Sequence, residues 1–180
     1  LEELAPVLYV GLDYDNYIES FTHNLEIVGE IFEKEEEINE VLDEINDEIA
    51  SIQELVADEE KEALILLAND NEISAYGENS RFGLIHDVFG IHAVDPDIEE
   101  STHGMSVTFE YVLEQNPDIL YVIDRGSAIG EEATAKQVVE NELISKTTAY
   151  ENGDIYYLDP EIWYLSGGGI VSMQKMIDEI

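Results

Sequence analysis

Three short apolar runs separated by helical stretches constrain the fold of this chain more than any other feature. They lie at residues 63–68, 119–124 and 154–159. Each has the length and apolar character of a buried strand. Strands joined by helices of this length form right-handed βαβ units. The pattern therefore predicts an α/β fold with a mostly parallel sheet covered by helices on both faces, at about one domain's length.

Weaker patterns predict the other elements of secondary structure. Apolar spacing predicts a strand at 7–12, a helix at 14–32 with Phe32 on its inner face, a short strand at 73–77 and a weak strand at 92–95. We predict a helix from 81 or 82 to 89, capped by Ser80 and closed by Gly90. Further helices are predicted at 106–116, 133–143 and 169–180.

Residues 33–62 form the most acidic segment, yet apolar residues recur there at steps of three and four. These residues are Ile38, Leu42, Ile45, Ile49, Ile52 and Val56. This is a heptad stripe on one helix of about 40 Å. It could mediate a coiled-coil dimer, or it could pack across a domain of the same chain. We favour packing within the chain, because three heptads flanked by repelling charges make a marginal coiled coil.

The charge balance excludes some partners. The chain has 43 Asp and Glu against 7 Lys and Arg, a formal net charge of −36. Nucleic acid is not expected as a partner, because phosphate backbones need a basic face, and anionic membrane surfaces are disfavoured likewise. Salt relieves the self-repulsion of such a surface. Either a salt-adapted source or deliberate engineering of the surface charge would explain the acidity. The chain has no cysteine, which excludes disulfides and thiolate sites.

Only two arginines occur, and both stand beside glycine-containing turns. Arg81 lies in Asn79-Ser80-Arg81-Phe82-Gly83, and Arg125 follows the strand 119–124. Arg125 should therefore lie at the carboxyl edge of the sheet, where α/β proteins bind ligands. A guanidinium suits carboxylate, phosphate or catecholate oxygens. Either each arginine pairs with nearby Asp and Glu, or the two share an anion site.

Three further residues could join such a site. His103 lies in a polar loop, 22 residues from each arginine, and an accessible histidine can donate a hydrogen bond or bind metal. Tyr164 stands between Trp163 and a segment that ends in three glycines, a composition that suits a pocket. The alternatives are a solvated histidine and an ordinary helix start with a buried aromatic residue. We interpret His23 and His86 as structural.

Six segments of the chain together resemble a known family. They lie at residues 80–90, 101–104, 109–113, 116–118, 122–126 and 158–169. In this order they look like the ABC-transporter solute-binding proteins for ferric siderophores, in the catecholate and petrobactin-type branch. The resemblance implies two lobes joined by one long helix, with the ligand cleft between the lobes. Residues 1–32 would be a remnant strand and helix of the N-terminal lobe, 33–62 the connecting helix and 63–180 the C-terminal lobe.

The resemblance also implies a site. Arg81 and Arg125 would face the anionic ferric complex, with Trp163 among the ligand-binding residues. His103 and Tyr164 would bind iron directly when the siderophore leaves coordination sites vacant. Ferric iron prefers oxygen donors, which suits the phenol of Tyr164. The ferric siderophore would be the ligand, with no intrinsic cofactor.

The resemblance further implies a non-catalytic, extracytoplasmic protein, periplasmic or a cell-surface lipoprotein, that delivers its ligand to an ABC permease. Most of the N-terminal lobe is missing from the chain, so we expect half a site, with weak binding and a cleft face that could associate with another copy. The alternative is an engineered or salt-adapted acidic scaffold whose site is idle. An enzyme with a carboxylate site in the same cleft is a third hypothesis, although the sequence lacks the common catalytic motifs.

Overall fold

The computed structural model describes residues 4–98, 101, 103–132 and 134–180. The strands are β1 (Glu62–Asn69), β2 (Glu72–Tyr76), β3 (His92–Ala93), β4 (Met105–Val107), β5 (Ile119–Asp124) and β6 (Ile155–Leu158). The α-helices are α1 (Tyr17–Phe32), α2 (Glu35–Val56), α3 (Leu84–Asp87), α4 (Phe109–Gln115), α5 (Arg125–Ala128), α6 (Ala135–Val139), α7 (Thr148–Asn152) and α8 (Ile170–Asp178). Short 3-10 helices span Tyr14–Asn16 and Ile144–Lys146, and a π-helix spans Glu161–Leu165.

The strands form one sheet in the order β4-β2-β1-β5-β6, and β3 pairs with the start of β1. The pairs β1–β5, β5–β6 and β1–β3 are parallel, which confirms the predicted α/β class. At the β4 end, β2 runs antiparallel to both of its neighbours. The reason is the two-residue connection between β1 and β2, since a parallel crossover needs a dozen or more residues.

Two apolar clusters lie on the opposite faces of the sheet. Alternate residues of β1 point to opposite faces, so Ile65 and Leu67 pack in one cluster with α1, α2 and α8. Leu64 and Leu66 pack in the other cluster, which includes Val112 of α4. A strand buried on both faces is typical of a parallel sheet covered by helices on each side.

The stripe on α2 packs within its own chain, as predicted. Ile38, Leu42, Ile45 and Ile49 are buried in the same cluster as the sheet. Hydrogen bonds hold the helix in place: Gln53 Nε2 donates to the Val88 carbonyl at 2.7 Å, and Gln174 Nε2 of α8 donates to Glu48 Oε2 at 2.5 Å. The coiled-coil alternative is wrong, because the stripe is already covered. The observed helix is also shorter than the predicted 33–62.

Residues 7–12 are not a strand, so that prediction is wrong. The segment has no regular secondary structure and no strand partner among the described residues, and Leu8 and Tyr9 are 54% and 91% exposed. A strand needs a neighbour to satisfy its backbone groups, and the described residues supply none here. The inward position predicted for Phe32 at the end of α1 is also wrong, since this side chain is 68% exposed.

Three helix predictions were too long. The helix at 81–89 is reduced to α3, because the Ser80 hydroxyl donates to the Gly77 carbonyl at 2.5 Å instead of capping a helix. The helix at 106–116 begins only at Phe109. Thr108 caps it by accepting from the Tyr111 N–H, and residues 105–107 form β4. The helix at 133–143 spans Ala135–Val139, and Ala133 lies outside the described residues.

The two histidines interpreted as structural differ. His86 is buried, its Nδ1 lies 2.7 Å from the Ile91 carbonyl oxygen, and burial lowers its pKa. His23 also lies within a helix, α1, but it is exposed there, so burial does not support its structural interpretation.

We predict that Ile45→Ala destabilises the chain by about 2–5 kcal/mol, because it opens a cavity under α2. Ile45 is 2% exposed. The control is Leu55→Ala on the same helix, where the side chain is 75% exposed and the change should stay within about 0.5 kcal/mol. Urea unfolding followed by circular dichroism measures both. Equal losses for the two variants would contradict the packing of α2 against the sheet.

Candidate functional site

The site is built at the carboxyl edge of the sheet, where β1 and β5 end side by side. Ala68 of β1 pairs with Asp124 of β5, so Asn69 and Arg125 follow at the same level. Asp124 caps α5: its Oδ1 accepts from the Ser127 N–H at 2.9 Å. Its Oδ2 accepts from two further backbone N–H groups at 2.8 Å, those of residues 134 and 135. The Asp124 carboxylate thus fixes the turn on which Arg125 stands.

Arg125 uses its guanidinium to join two other residues. Its Nε donates to the Tyr164 hydroxyl at 3.0 Å, and its Nη1 donates to Asn69 Oδ1 at 2.9 Å. The hydrogen bond to Tyr164 is the main cause that raises the pKa of Arg125. Nη2 makes no hydrogen bond with the described residues, so this fork keeps donors for a ligand.

Arg81 approaches Tyr164 from a different direction. Its guanidinium carbon lies 4.2 Å from the centroid of the Tyr164 ring, a cation–π distance, and its Nη2 donates to the Tyr164 carbonyl. Both arginines therefore contact Tyr164, one at the ring and backbone and the other at the hydroxyl. The ion pairs within the described residues all use lysine, so neither arginine is held by a carboxylate there.

Tyr164 stands on the π-helix that follows β6. Asp159 Oδ1 accepts from the N–H groups of Glu161 and Ile162 at 2.9 and 3.3 Å, which caps this helix. The indole N–H of Trp163 donates to Glu179 Oε2 at 2.7 Å, and Trp163 is 4% exposed. Trp163 therefore anchors the turn in the core, while the neighbouring Tyr164 is half-buried and faces the arginines.

A cleft of about 490 Å³ opens beside Arg81 and Tyr164. Trp163 and residues 165–169 line the cleft, together with Leu12, Tyr14 and Tyr17 of the amino-terminal segment. The Tyr17 hydroxyl donates to the Gly167 carbonyl at 2.7 Å, and burial raises the pKa of Tyr17. The volume lies within the range of about 300–1,000 Å³ that is typical of small-molecule sites.

His103 does not contact the arginine cluster directly in the described structure. It is exposed, and its backbone N–H donates to Ser101 Oγ at 3.1 Å. The next residue, Gly104, has φ +72°, and a Cβ there would lie 2.6 Å from the Tyr76 ring. The turn of His103 therefore packs closely against Tyr76.

Tyr76 is a site residue that the sequence analysis missed. Its side chain is 2% exposed, and its ring meets the Phe82 ring edge to face, with 4.6 Å between centroids. Burial raises its pKa to about 12, and the nearby charge of Arg81 acts in the opposite direction. Tyr76 thus lies between the turn of His103 and Arg81. The only sequence signal was its position at the end of a strand, just before the Arg81 turn.

Two kinds of feature are absent from the described residues. No group of three or more His, Asp or Glu side chains in the described ranges could hold a metal ion. Among the helices of the described part, none has both the length and the apolar character needed to span a membrane.

Known proteins resemble this chain over nearly its whole length. The model of the periplasmic binding protein family matches residues 1–162. The petrobactin-binding protein YclQ of Bacillus subtilis is 48% identical over 178 residues, which cover 99% of this chain and 56% of that protein. The ferric-anguibactin-binding protein FatB of Vibrio anguillarum is 31% identical over 188 residues, covering 100% of this chain and 58% of FatB.

Solved structures agree with these relatives. The crystal structure of YclQ has a TM-score of 0.96 to this chain and covers 99% of it, against 62% of the YclQ chain. The periplasmic catecholate-siderophore binding protein VctP of Vibrio cholerae has a TM-score of 0.93 at 29% identity, with 99% of this chain and 64% of VctP covered. The chain thus spans little more than half the length of the curated relatives it matches.

We predict that Gly104→Ala destabilises the chain more than Gly130→Ala does. Both glycines have positive φ, +72° and +85°, so both variants carry a conformational cost of about 1–2 kcal/mol. A Cβ at Gly130 meets nothing within 4 Å, whereas one at Gly104 collides with the Tyr76 ring. Overpacking should add about 1–3 kcal/mol, measured by urea unfolding. Equal costs would show that the turn of His103 does not pack on Tyr76.

Proposed function

This chain belongs to the periplasmic binding protein family, and we propose that it binds ferric siderophore complexes for an iron-uptake ABC transporter. The relatives named for petrobactin and ferric anguibactin support the ligand class. The name of VctP supports a catecholate type. We further propose that the protein acts outside the cytoplasm, in the periplasm or as a cell-surface lipoprotein, and delivers its ligand to the permease.

One observation carries this proposal: Arg81 and Arg125 both contact Tyr164 and keep unused N–H donors, and Arg81 and Tyr164 line the cleft. A tris-catecholate ferric complex is a trianion, and guanidinium forks both neutralise such a ligand and bond to its oxygens. The chain carries a net charge of −36, so an anion would be repelled almost everywhere else. Two adjacent guanidinium groups create a local reversal of that field.

We propose that Tyr164 and His103 bind iron directly when the siderophore leaves coordination sites vacant. Oxygen donors suit ferric iron, and the Tyr164 hydroxyl already lies at the centre of the cluster. His103 is exposed, and the turn next to it packs on Tyr76, which lies close enough to Arg81 for the arginine charge to act on the pKa of Tyr76. Trp163 would contribute by holding the Tyr164 turn and by lining the cleft.

The remainder of the site would come from outside these 180 residues. The chain covers 56% of YclQ, and we propose that α2 is the connecting helix between two lobes, with residues 63–180 forming the C-terminal lobe. Half a site should bind its ligand weakly. Its exposed cleft rim, which includes Leu165 at 59% exposure, could also associate with a second copy.

We predict that Arg81→Gln and Arg125→Gln each weaken binding of ferric tris-catecholate by about 10–100-fold, the value of one charge-assisted interaction. Quenching of Trp163 fluorescence would follow the titration, since Trp163 lines the cleft.

The control for net charge is Lys136→Gln. It also removes one positive charge, but from a surface pair with Glu140 at 3.7 Å. The control should change the affinity by less than about threefold, as expected of an exposed charge. If it weakens binding as much as the arginine variants do, or if the arginine variants bind like the parent chain, the proposed site is wrong.

The alternative is a salt-adapted acidic scaffold with an idle site, which the net charge of −36 favours. Raising NaCl from 0.1 to 1 M shortens the Debye length from about 10 to about 3 Å, so the free energy of unfolding should rise.

Repulsion between the acidic surfaces of two copies should likewise oppose assembly at low salt. Light scattering across this series separates the hypotheses: assembly that shifts steeply with salt and ignores Arg81→Gln and Arg125→Gln favours the scaffold. Salt-insensitive unfolding would contradict the role of surface repulsion.

A further inference from the structure

A second cavity lies at the amino-terminal edge of the sheet, at the opposite end of the strands from the arginine cleft. Its volume is about 210 Å³. It is bounded by the starts of β5 and β6, the ends of α2 and α8, and the segment at Ile91. None of the residues that line it also lines the arginine cleft.

One wall of this cavity is a pair of aromatic rings. Tyr121 of β5 pairs with Tyr156 of β6 in a parallel register, so both side chains lie on the same face of the sheet. Their ring centroids are 5.7 Å apart and their planes differ by 29°, which is a stacked arrangement. The other walls are largely aliphatic, with Val56, Ile91 and Ile119 among them.

The hydroxyl of Tyr121 makes no hydrogen bond with the described residues, although the side chain is only 2% exposed. No fully enclosed side-chain nitrogen or oxygen of the described residues lacks a hydrogen-bonding partner, so this hydroxyl opens onto the cavity and is not sealed in the core. Burial raises the pKa of Tyr121, so its hydroxyl stays neutral and can donate. The neighbouring Tyr156 differs, because its hydroxyl already donates to Asp154 Oδ1 at 3.4 Å. The cavity therefore has one unused polar anchor on an apolar and aromatic wall.

The charges at its rim favour a neutral occupant. Lys61 lines the cavity, but its Nζ pairs with Asp154 Oδ2 at 3.2 Å. Glu59 also lines the rim and adds a negative charge. The one lysine there is paired, and His92 is the only other basic residue that lines the cavity, so an anionic ligand would meet the Glu59 carboxylate without an unpaired lysine or arginine to offset it.

We propose that this cavity binds a neutral one-ring aromatic compound that carries a hydroxyl group. An apolar cavity of about 150 Å³ suffices for benzene, so the observed volume holds one ring with a small substituent. The ring packs against the tyrosine pair, and its hydroxyl bonds to that of Tyr121. This site is separate from the proposed siderophore cleft and does not depend on it.

Phenol is the probe, titrated into the ¹⁵N-labelled chain while the backbone amide spectrum is recorded. Saturable shifts are expected at Ile91, Ile119 and Tyr156. Tyr121→Phe should weaken phenol by about 2–10-fold, the value of one neutral hydrogen bond. It should leave the unfolding transition unchanged, because the hydroxyl has no partner to lose. Tyr157→Phe is the matched control: Tyr157 lies on the other face of β6, outside the cavity, its hydroxyl donates to Glu140 Oε1 at 3.2 Å, and the variant should bind phenol like the parent chain.

Two further comparisons sharpen the result. Benzoate, which has the same ring and a negative charge, should bind at least about tenfold more weakly than phenol, the factor set by 1.4 kcal/mol of repulsion. Arg125→Gln should not change the phenol affinity, so this test stands whether or not the siderophore proposal holds. The inference is overturned if no amide shifts saturably, if the shifts cluster at Tyr164 and Gly167, or if Tyr121→Phe binds phenol unchanged.

Discussion

The contact of two guanidinium groups with one tyrosine is the interaction on which the candidate site depends. Arg81 covers the ring of Tyr164, and Arg125 donates to its hydroxyl. Each of the three residues comes from a different part of the chain, so the contact needs the whole sheet. Parallel pairing of β1 with β5 aligns Asn69 with Arg125, and the Asp124 carboxylate fixes the turn between β5 and α6. Glu179 on the segment after α8 holds Trp163 and thereby the turn of Tyr164.

The charge of the two arginines matters because the chain as a whole is strongly acidic. Lysines make the ion pairs with carboxylates in the described structure, and those pairs lie at the surface. The arginines contact an aromatic ring, a hydroxyl, an amide and a carbonyl instead. A planar guanidinium can stack and donate at the same time, which an ammonium cannot do. The two arginines of the chain are therefore placed where that geometry is used, and their charge is left available to an anion.

The sequence predicted those parts of the structure that depend on local pattern. The strands β1 and β5 were identifiable because they are buried on both faces, β6 because it is a short apolar and aromatic run, and the stripe of α2 because its apolar spacing is regular. The strand at 7–12 failed because pairing depends on a neighbour, which the described residues lack. The helix at 106–116 failed because Met105–Val107 forms an edge strand on β2, a long-range contact that local apolar spacing does not encode.

The residues of the candidate site were predictable where local sequence marks them, and not where long-range packing places them. Arg81, Arg125 and Tyr164 were chosen from residue chemistry, turn positions and a family resemblance, and the structure brings them together. Tyr76 was missed because strand alternation marks it only as a core residue, and its place beside Arg81 depends on how the segment after β2 folds back. The exposure of His103 was predicted from its polar loop, but the packing of its turn on Tyr76 was not, because that contact depends on the pairing of β4 with β2.

The most direct test of the central claim uses the fact that the chain has two arginines and therefore two side-chain Nε–H signals in a ¹⁵N spectrum. The probe is gallium(III) tris-catecholate, a diamagnetic complex with the same charge as the ferric one. If both guanidinium groups bind one ligand around Tyr164, both signals shift along the titration with a single midpoint. Different midpoints, or a shift of only one signal, would contradict a shared anion site.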